Sequence, residues 1–390
     1  MTLTSIVEAP ANEGGDVAPG FERVRSIFRE NFAARGELGA AVAVWLDGKP
    51  VVDLWGGWQD PRHAVPWQRD TIVCMMSVCK GIAALCALKL VEQGRLDLAA
   101  PVARYWPEFA AGGKAAVTVR QLLAHHAGLI YPDLAPPGSF FDLPAMTAAM
   151  AAQPPEWPPG TQGAYHSATY GILVGELVRR AGGRRIDHVL REEITGPLGL
   201  DYHYGLPEGD EPRVAEVVPN AGSTTMQQRF DPTTKAGRAW RPLKTDEPSM
   251  FNDVRFRRGP VPEGSSLYGH GNARAVGRLF AALARGGEID GVRIFRPETV
   301  ALLATQVWSG VCGLTGRDFR MALGLFLNSP VYMPMGPNPA AFGHAGAGGA
   351  LGFADPGRRL GFAYSPNQMC AGAGVGERCE ALIEAVYACV

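Results

Sequence analysis

The sequence predicts a mixed α/β (α+β) fold, with an antiparallel sheet built from the N- and C-terminal segments, flanked by helices, and an inserted, mostly helical domain. Two observations predict it. Alternating, β-prone residues cluster near both ends of the 390-residue chain, whereas helical periodicity and proline-rich loops dominate its middle. Apolar residues make up 46% of the chain and charged residues 19%, a composition typical of a protein with a packed core.

The first third of the chain predicts a helix, a hairpin and a second helix, after a polar tail at 1–20. Apolar residues recur at helical spacing over 21–35. Two β-prone runs, 40–46 and 50–55, are joined by Asp47-Gly48, a dipeptide that suits a tight turn. Strong helix formers fill residues 77–93, so Ser77 lies at the start of the second helix.

Later elements follow the same periodicities. In chain order they are helices at 119–124, 168–181 and 275–284, strands at 321–327, 350–354 and 360–364, and a helix at 377–388.

These elements predict a division into domains. The expected parts are a tail at 1–20, an α/β domain made of 21–80 and 275–390, and a mainly helical domain at 81–274. We expect the active site at the interface between the two domains.

Charge and cysteine content exclude several kinds of partner. With 37 basic and 38 acidic residues and no long Lys or Arg run, the chain is not expected to bind nucleic acid. No apolar stretch reaches the roughly 18 residues that span a bilayer, so no membrane association is expected. The first twenty residues contain no secretory signal, and seven irregularly spaced cysteines indicate free thiols, so the expected location is cytoplasmic.

Ser77 and Lys80 are the first candidate catalytic residues. Ser77 is the only serine with a lysine three residues later, and positions i and i+3 share a helix face. A serine hydroxyl needs a neighbouring base, and a helix N-terminus favours developing negative charge. Lys80 must be partly neutral to act as that base, which requires burial or a suitable partner. A capping serine followed by a surface lysine would give the same pattern.

Two further segments are candidates. Tyr165 is the only tyrosine followed two residues later by Ser or Asn, here Ser167. Residues 343–349 are rich in glycine, so their backbone can approach a ligand closely and offer N–H groups. Taken alone, the first segment is equally typical of a core tyrosine, and the second of a glycine-rich bulge.

These three segments, in this order, resemble the serine hydrolase superfamily of penicillin-binding proteins, class C β-lactamases and family VIII carboxylesterases. Residues 77–80 match its S-x-x-K motif, and residues 165–167 are similar to its Y-x-N or Y-x-S element. Residues 97–107, 122–129 and 197–200 look like its framework segments. The resemblance covers about 21–385 and implies a β-lactamase/transpeptidase-like fold.

The resemblance also implies roles. Ser77 would attack an ester carbonyl, while Lys80 and Tyr165 would share the removal of its proton, with neither singled out as the base. The backbone N–H groups of Ser77 and Ala347 would bind the oxyanion. Ser167 would orient Lys80 or the substrate.

The K-T-G position of the superfamily is occupied here by His344, Ala345 and Gly346. A fixed cation there would help to bind a carboxylate. Its replacement by His344 favours neutral esters, and a histidine or tryptophan is common at this position in the esterase branch. His344 and Gly346 are therefore expected in the substrate-binding site.

The expected function is a serine carboxylesterase that needs no cofactor or metal and hydrolyses short- to medium-chain acyl esters. Its partner would be a small-molecule ester. Transfer of the acyl group to an alcohol or amine is a possible variant. β-Lactamase, D-amino-acid peptidase or amidase activity would use the same residues, and a non-catalytic binding homologue is a third hypothesis. Residues 229–264 are expected at the substrate entrance, without an assignment of individual residues.

Overall fold

The largest feature of the fold is a nine-stranded antiparallel sheet. A computed structural model describes residues 10, 12–220, 222–223, 227–229, 231–243, 251–258, 269–371 and 374–390. The strands in the described residues are β1 Gly14–Val17, β2 Gly39–Leu46, β3 Lys49–Gly57, β4 Val73–Cys74, β5 Tyr202–Tyr204, β6 Gly269–Gly271, β7 Glu288–Ile289, β8 Val292–Arg293, β9 Trp308–Val311, β10 Asp318–Met321, β11 Phe326–Leu327, β12 Phe342–Ala345, β13 Leu351–Asp355 and β14 Leu360–Pro366. The order in the large sheet is β1-β3-β2-β14-β13-β12-β11-β10-β9, and β4-β6-β5 and β7-β8 form two small sheets.

The large sheet joins the two ends of the chain. β14 pairs with β2 in a register that places Tyr364 opposite Val42. The predicted antiparallel sheet from N- and C-terminal segments is therefore confirmed. The β2–β3 hairpin turns at Asp47 and Gly48, whose φ angles of 51° and 82° are both left-handed, as a tight hairpin turn requires.

The helices lie mostly between β3 and β9 in the chain. Those of the described residues are α1 Glu22–Ala34, α2 Val78–Glu92, α3 Val119–Leu123, α4 Leu143–Ala152, α5 Tyr170–Gly182, α6 Ile186–Leu190, α7 Gly196–Leu198, α8 Lys235–Trp240, α9 Val254–Arg258, α10 Ala273–Ala284, α11 Pro297–Leu303 and α12 Gly376–Tyr387. Short 3₁₀ turns at Val102–Arg104, Pro107–Gly113, Ser139–Phe141, Glu208–Arg213 and Arg241–Leu243 and a π turn at Arg191–Thr195 connect them.

The predicted helices at 21–35, 77–93, 119–124, 168–181, 275–284 and 377–388 match α1, α2, α3, α5, α10 and α12 to within two residues at each end. The division into domains at residues 80 and 274 stays a prediction. In the described residues, every helix is too short or too polar to cross a membrane.

One strand was not predicted, and one predicted strand was wrong. The tail at 1–20 contributes β1, which pairs with β3. Gly15 allows this close pairing, because a Cβ there would lie 1.8 Å from the Asp53 carbonyl oxygen. The single strand predicted at 321–327 is the end of β10, a turn and β11, since Gly324 takes a left-handed φ of 71° and reverses the chain.

Helix α2 is the central element that positions the site. Most of its residues are fully buried, and it packs against β12. Gly81 makes this packing close, because a Cβ there would lie 2.4 Å from Leu325 Cδ2 and 3.3 Å from His344 Cβ. The N-terminus of α2 is therefore held beside the end of β12.

Candidate active site

Ser77 occupies the turn that starts α2. The preceding residue, Met76, has a left-handed φ of 48°, which is uncommon for a side chain of this size and concentrates at functional sites. The Ser77 side chain makes no capping hydrogen bond to its own helix. Instead, its Oγ accepts a hydrogen bond from Lys80 Nζ at 2.9 Å. The i, i+3 pair predicted from the sequence is thus brought into contact.

Lys80 is completely buried, which the sequence could not establish. Burial lowers its pKa to about 7, since the charged amine loses its hydration; nearby Cys79 opposes this shift and the positive charge of Arg229 adds to it. Near neutral pH a substantial fraction of Lys80 is therefore a neutral amine. In that form it can accept the proton of Ser77.

Tyr165 lies on the other side of this pair. Lys80 Nζ is 5.1 Å from the centre of the Tyr165 ring. Burial raises the pKa of Tyr165 well above 10, and a hydrogen bond with Ser77 only partly opposes it. The phenol is therefore protonated at neutral pH, and the site combines a neutral amine with a protonated phenol around one serine hydroxyl.

A buried histidine, His125, packs against Tyr165 and was not assigned a role from the sequence. The His125 ring stacks on Tyr170 at 4.1 Å and lies 5.0 Å from the Tyr165 ring. Its Nδ1 accepts a hydrogen bond from the His166 backbone N–H at 3.0 Å, and burial lowers the pKa of His125 well below 6.5. His125 is therefore a neutral packing partner of Tyr165.

The glycine-rich segment brings a second backbone donor to Ser77. Gly346 packs directly on the turn before Ser77, since a Cβ there would lie 2.5 Å from the Met75 carbonyl oxygen and 2.9 Å from Met76 Cβ. Ser77 and Ala347 line the same cavity. Within the described part of the chain, neither of their backbone N–H groups donates a hydrogen bond. Both are available to an oxyanion.

His344 supplies a neutral ring at the K-T-G position. It is buried and lies 5.0 Å from the Phe326 ring and 5.9 Å from the Tyr165 ring. Burial and the charge of Lys80 lower its pKa to about 3. Its Nδ1 lies 2.7 Å from the Ala345 carbonyl oxygen, which assigns the ring proton to Nδ1 and leaves Nε2 without a partner among the described residues.

The cavity in front of Ser77 has a volume of about 380 Å³. The other predicted residues that line it are Tyr165, Ser167, His344, Gly346 and Ala347. Ser167 Oγ accepts a hydrogen bond from Trp240 Nε1 at 3.2 Å. Aromatic side chains form much of the remaining wall: Trp240, Phe319, Phe326 and Tyr332.

Sequence reasoning missed Arg229 and Trp240 in this wall. The Arg229 guanidinium stacks on the Trp240 ring at 4.5 Å. The only signal for this segment was its Arg- and Pro-rich composition, which does not single out a residue. Within the described ranges, no three His, Cys, Asp or Glu side chains form a group that could hold a metal ion.

Comparisons with known proteins identify the family of the chain. The model of the Beta-lactamase family matches residues 24–383. Esterase/beta-lactamase LipL of Mycobacterium tuberculosis is 35% identical over 370 residues, which cover 91% of this chain and 83% of that protein.

Two solved structures extend the likeness over 97% of this chain and 100% of theirs. A penicillin-binding protein homologue from Caulobacter crescentus is 38% identical with a TM-score of 0.86. A family VIII carboxylesterase is 36% identical with a TM-score of 0.88. The resemblance carried by the three sequence motifs is confirmed: the chain belongs to the beta-lactamase family and is a hydrolase of the β-lactamase fold.

Proposed function

We propose that this protein is a serine carboxylesterase that hydrolyses short- to medium-chain acyl esters through an acyl-enzyme on Ser77. One observation carries the proposal: a fully buried lysine with a pKa near 7 donates a 2.9 Å hydrogen bond to the hydroxyl of Ser77. A lysine in that state is an activating base for a serine nucleophile.

Acylation starts from neutral Lys80. Ser77 Oγ attacks the ester carbonyl carbon while its proton passes to Lys80, and the carbonyl oxygen becomes an oxyanion. The N–H groups of Ser77 and Ala347 stabilise that oxyanion. The C–O bond to the alcohol then breaks. Tyr165, a protonated phenol beside Ser77, donates its proton to the leaving alcohol. Lys80 then returns the proton that it took from Ser77 to Tyr165.

Deacylation repeats these steps with water. Water attacks the acyl carbon and gives up a proton to the Lys80–Tyr165 pair. The bond to Ser77 Oγ breaks, the serine recovers its proton, and the carboxylic acid is released. An alcohol in place of water would accept the acyl group by the same route, giving acyltransferase activity.

Two features support an ester substrate of limited size. His344 is neutral at the position where a fixed cation would hold a β-lactam carboxylate. The cavity of about 380 Å³, with its aromatic wall, is at the small end of ligand pockets, which suits short to medium acyl chains. The family VIII carboxylesterase, whose name refers to esterase activity, supports an ester substrate, whereas the name of LipL refers to both esterase and beta-lactamase.

The test compares initial rates on 4-nitrophenyl butanoate for the unmodified protein, Ser77→Ala and Ser26→Ala. Ser26 is an exposed helical serine and provides the matched control. We expect loss of activity by roughly 10⁴-fold or more in Ser77→Ala and none in Ser26→Ala. Equal rates in all three proteins would contradict the proposal, as would a chromogenic cephalosporin turned over faster than the ester.

A further inference from the structure

Among the described residues, the charged side chains that line the catalytic cavity are all basic. Three basic residues, Arg229, Lys235 and Arg317, line it, and no Asp or Glu lines it among the described residues. A cavity with low-dielectric walls and charges of one sign concentrates ligands of the opposite sign. The charges around this cavity therefore favour an anion.

Two of these cations, Lys235 and Arg317, already contact other groups of the protein. Lys235 is exposed and its Nζ donates a hydrogen bond to the Gly313 carbonyl oxygen at 3.0 Å. Arg317 is half-buried over the Tyr332 ring, 4.8 Å from its centre. Both are ordinary positions for a basic side chain, with the charge close to water.

Arg229 is different. It is only 9% exposed, and its Nη1 has no hydrogen-bond partner among the described residues. Among the described residues no carboxylate lies within ion-pair distance of its guanidinium, which packs on the face of the Trp240 ring. Burial lowers the pKa of Arg229, but only to about 10, so the group is a cation at neutral pH.

A buried, unpaired charge is costly, and proteins normally pair it. This chain does so elsewhere, where the buried Arg378 guanidinium meets Glu37 at 2.7 Å. Among the described residues the charge of Arg229 is uncompensated, and a ligand that supplies an anion would explain it. A carboxylate fits this role, because the planar guanidinium fork matches its two oxygens.

The position of Arg229 relates this anion to the reaction. Arg229 lines the same cavity as Ser77, and its charge acts on the ionisation of Lys80. A carboxylate bound there belongs to a molecule that also reaches the nucleophile.

We propose that the substrates are esters that themselves carry a carboxylate, and that Arg229 binds this carboxylate in the cavity that it shares with Ser77. The proposal rests on the proposed esterase function and names its substrate class. It replaces the preference for neutral esters that the sequence predicted from His344, since the cation is supplied by a different segment of the chain.

The test measures kcat/KM on two matched pairs of esters, which differ in where the carboxylate is attached. Mono-4-nitrophenyl adipate is compared with 4-nitrophenyl hexanoate for a carboxylate in the acyl part. For a carboxylate in the alcohol part, 3-carboxyphenyl butanoate is compared with 3-carbamoylphenyl butanoate. The proteins are the unmodified chain, Arg229→Gln, Arg229→Lys and the control Arg191→Gln, which removes an exposed arginine that does not line the cavity.

We expect the unmodified protein to prefer the carboxylate ester in at least one pair. Arg229→Gln should reduce that preference by ~10- to 100-fold, the size of one charge-assisted hydrogen-bonded contact. The preference is a ratio of two kcat/KM values, so the change in Lys80 ionisation that follows loss of the Arg229 charge acts on both esters of a pair and cancels. Arg229→Lys should keep part of the preference and Arg191→Gln all of it.

A second measurement does not depend on a folded variant. Adipate should inhibit hydrolysis of the neutral ester competitively, at lower concentration than 1,6-hexanediol. Equal inhibition by the two, no preference in either pair, or a preference that survives Arg229→Gln would overturn the proposal. If neutral esters are hydrolysed through Ser77 under those outcomes, the esterase function stands and only the carboxylate site is wrong.

Discussion

The substitution Gly346→Ala tests whether the segment after β12 completes the oxyanion hole. The backbone of Gly346 is not left-handed, so alanine fits its conformation, and the effect is purely one of space. The new Cβ would lie 2.5 Å from the Met75 carbonyl oxygen, about 0.9 Å short of the 3.4 Å at which ordinary contacts begin. The segment must therefore move away from the turn before Ser77 by most of an ångström, taking Ala347 with it.

A hydrogen-bond donor works only within a few tenths of an ångström of its ideal distance. Loss of one oxyanion donor typically lowers kcat by 10²- to 10³-fold, and we expect a decrease of about that size in Gly346→Ala. The assay is 4-nitrophenyl butanoate hydrolysis, with the active fraction counted by titration with a phosphonate ester. Circular dichroism and a thermal melt establish that the variant is folded.

Gly352→Ala on β13 is the matched control. Its Cβ would lie 2.4 Å from Val276 Cγ1 and 2.6 Å from Phe280 Cε2, so it strains the packing of α10 on the sheet instead of the site. We expect a lower melting temperature with kcat per active site unchanged. A folded Gly346→Ala protein that keeps kcat within about threefold would refute the assignment of Ala347 to the oxyanion hole.

Three further predictions concern the site and its support. Lys80 has a pKa of about 7 and must be neutral to accept a proton. We therefore expect kcat/KM on a neutral ester to rise with pH, with a midpoint near pH 7, as the amine loses its proton. A flat profile from about pH 6 to 8 would contradict this expectation. Tyr165→Phe removes the protonated phenol and should lower kcat by roughly 10²- to 10⁴-fold with a smaller change in KM; an unchanged kcat would exclude proton transfer through Tyr165. Lys114 is buried, and its Nζ donates hydrogen bonds to three backbone carbonyl oxygens. Lys114→Met should therefore lower the free energy of unfolding, measured in urea, by about 3 kcal/mol. The kcat of the folded protein should not change.

The parts of the site that depend on local periodicity were predictable from the sequence. Helical spacing places Lys80 on the same face as Ser77, and the structure confirms that contact. The burial of Lys80 was not predictable, because it depends on the distant strand β12, which packs on α2 through Gly81. The pKa of a lysine depends on the elements that surround it and not on its neighbours in the chain.

The position of Arg229 in the cavity wall was also not predictable from the sequence. In the chain it is one arginine of a polar, proline-rich region, and such residues are usually solvated. Only the folded chain places it over Trp240, in a wall without acidic residues among those described. The strand β1 was missed for a related reason: its pairing depends on Gly15 and on contact with β3, with no alternating apolar pattern of its own.

The most direct test of Ser77 as the nucleophile is to identify the residue that a phosphonate ester modifies. The protein is treated with methyl 4-nitrophenyl hexylphosphonate, residual esterase activity is followed with time, and the modified peptide is sequenced by mass spectrometry. We expect one phosphonyl group per chain on Ser77, with activity lost in the same proportion, and no such label in Ser77→Ala. Loss of activity with the label on another residue, such as Cys79, or full activity in a protein labelled at Ser77, would contradict this assignment.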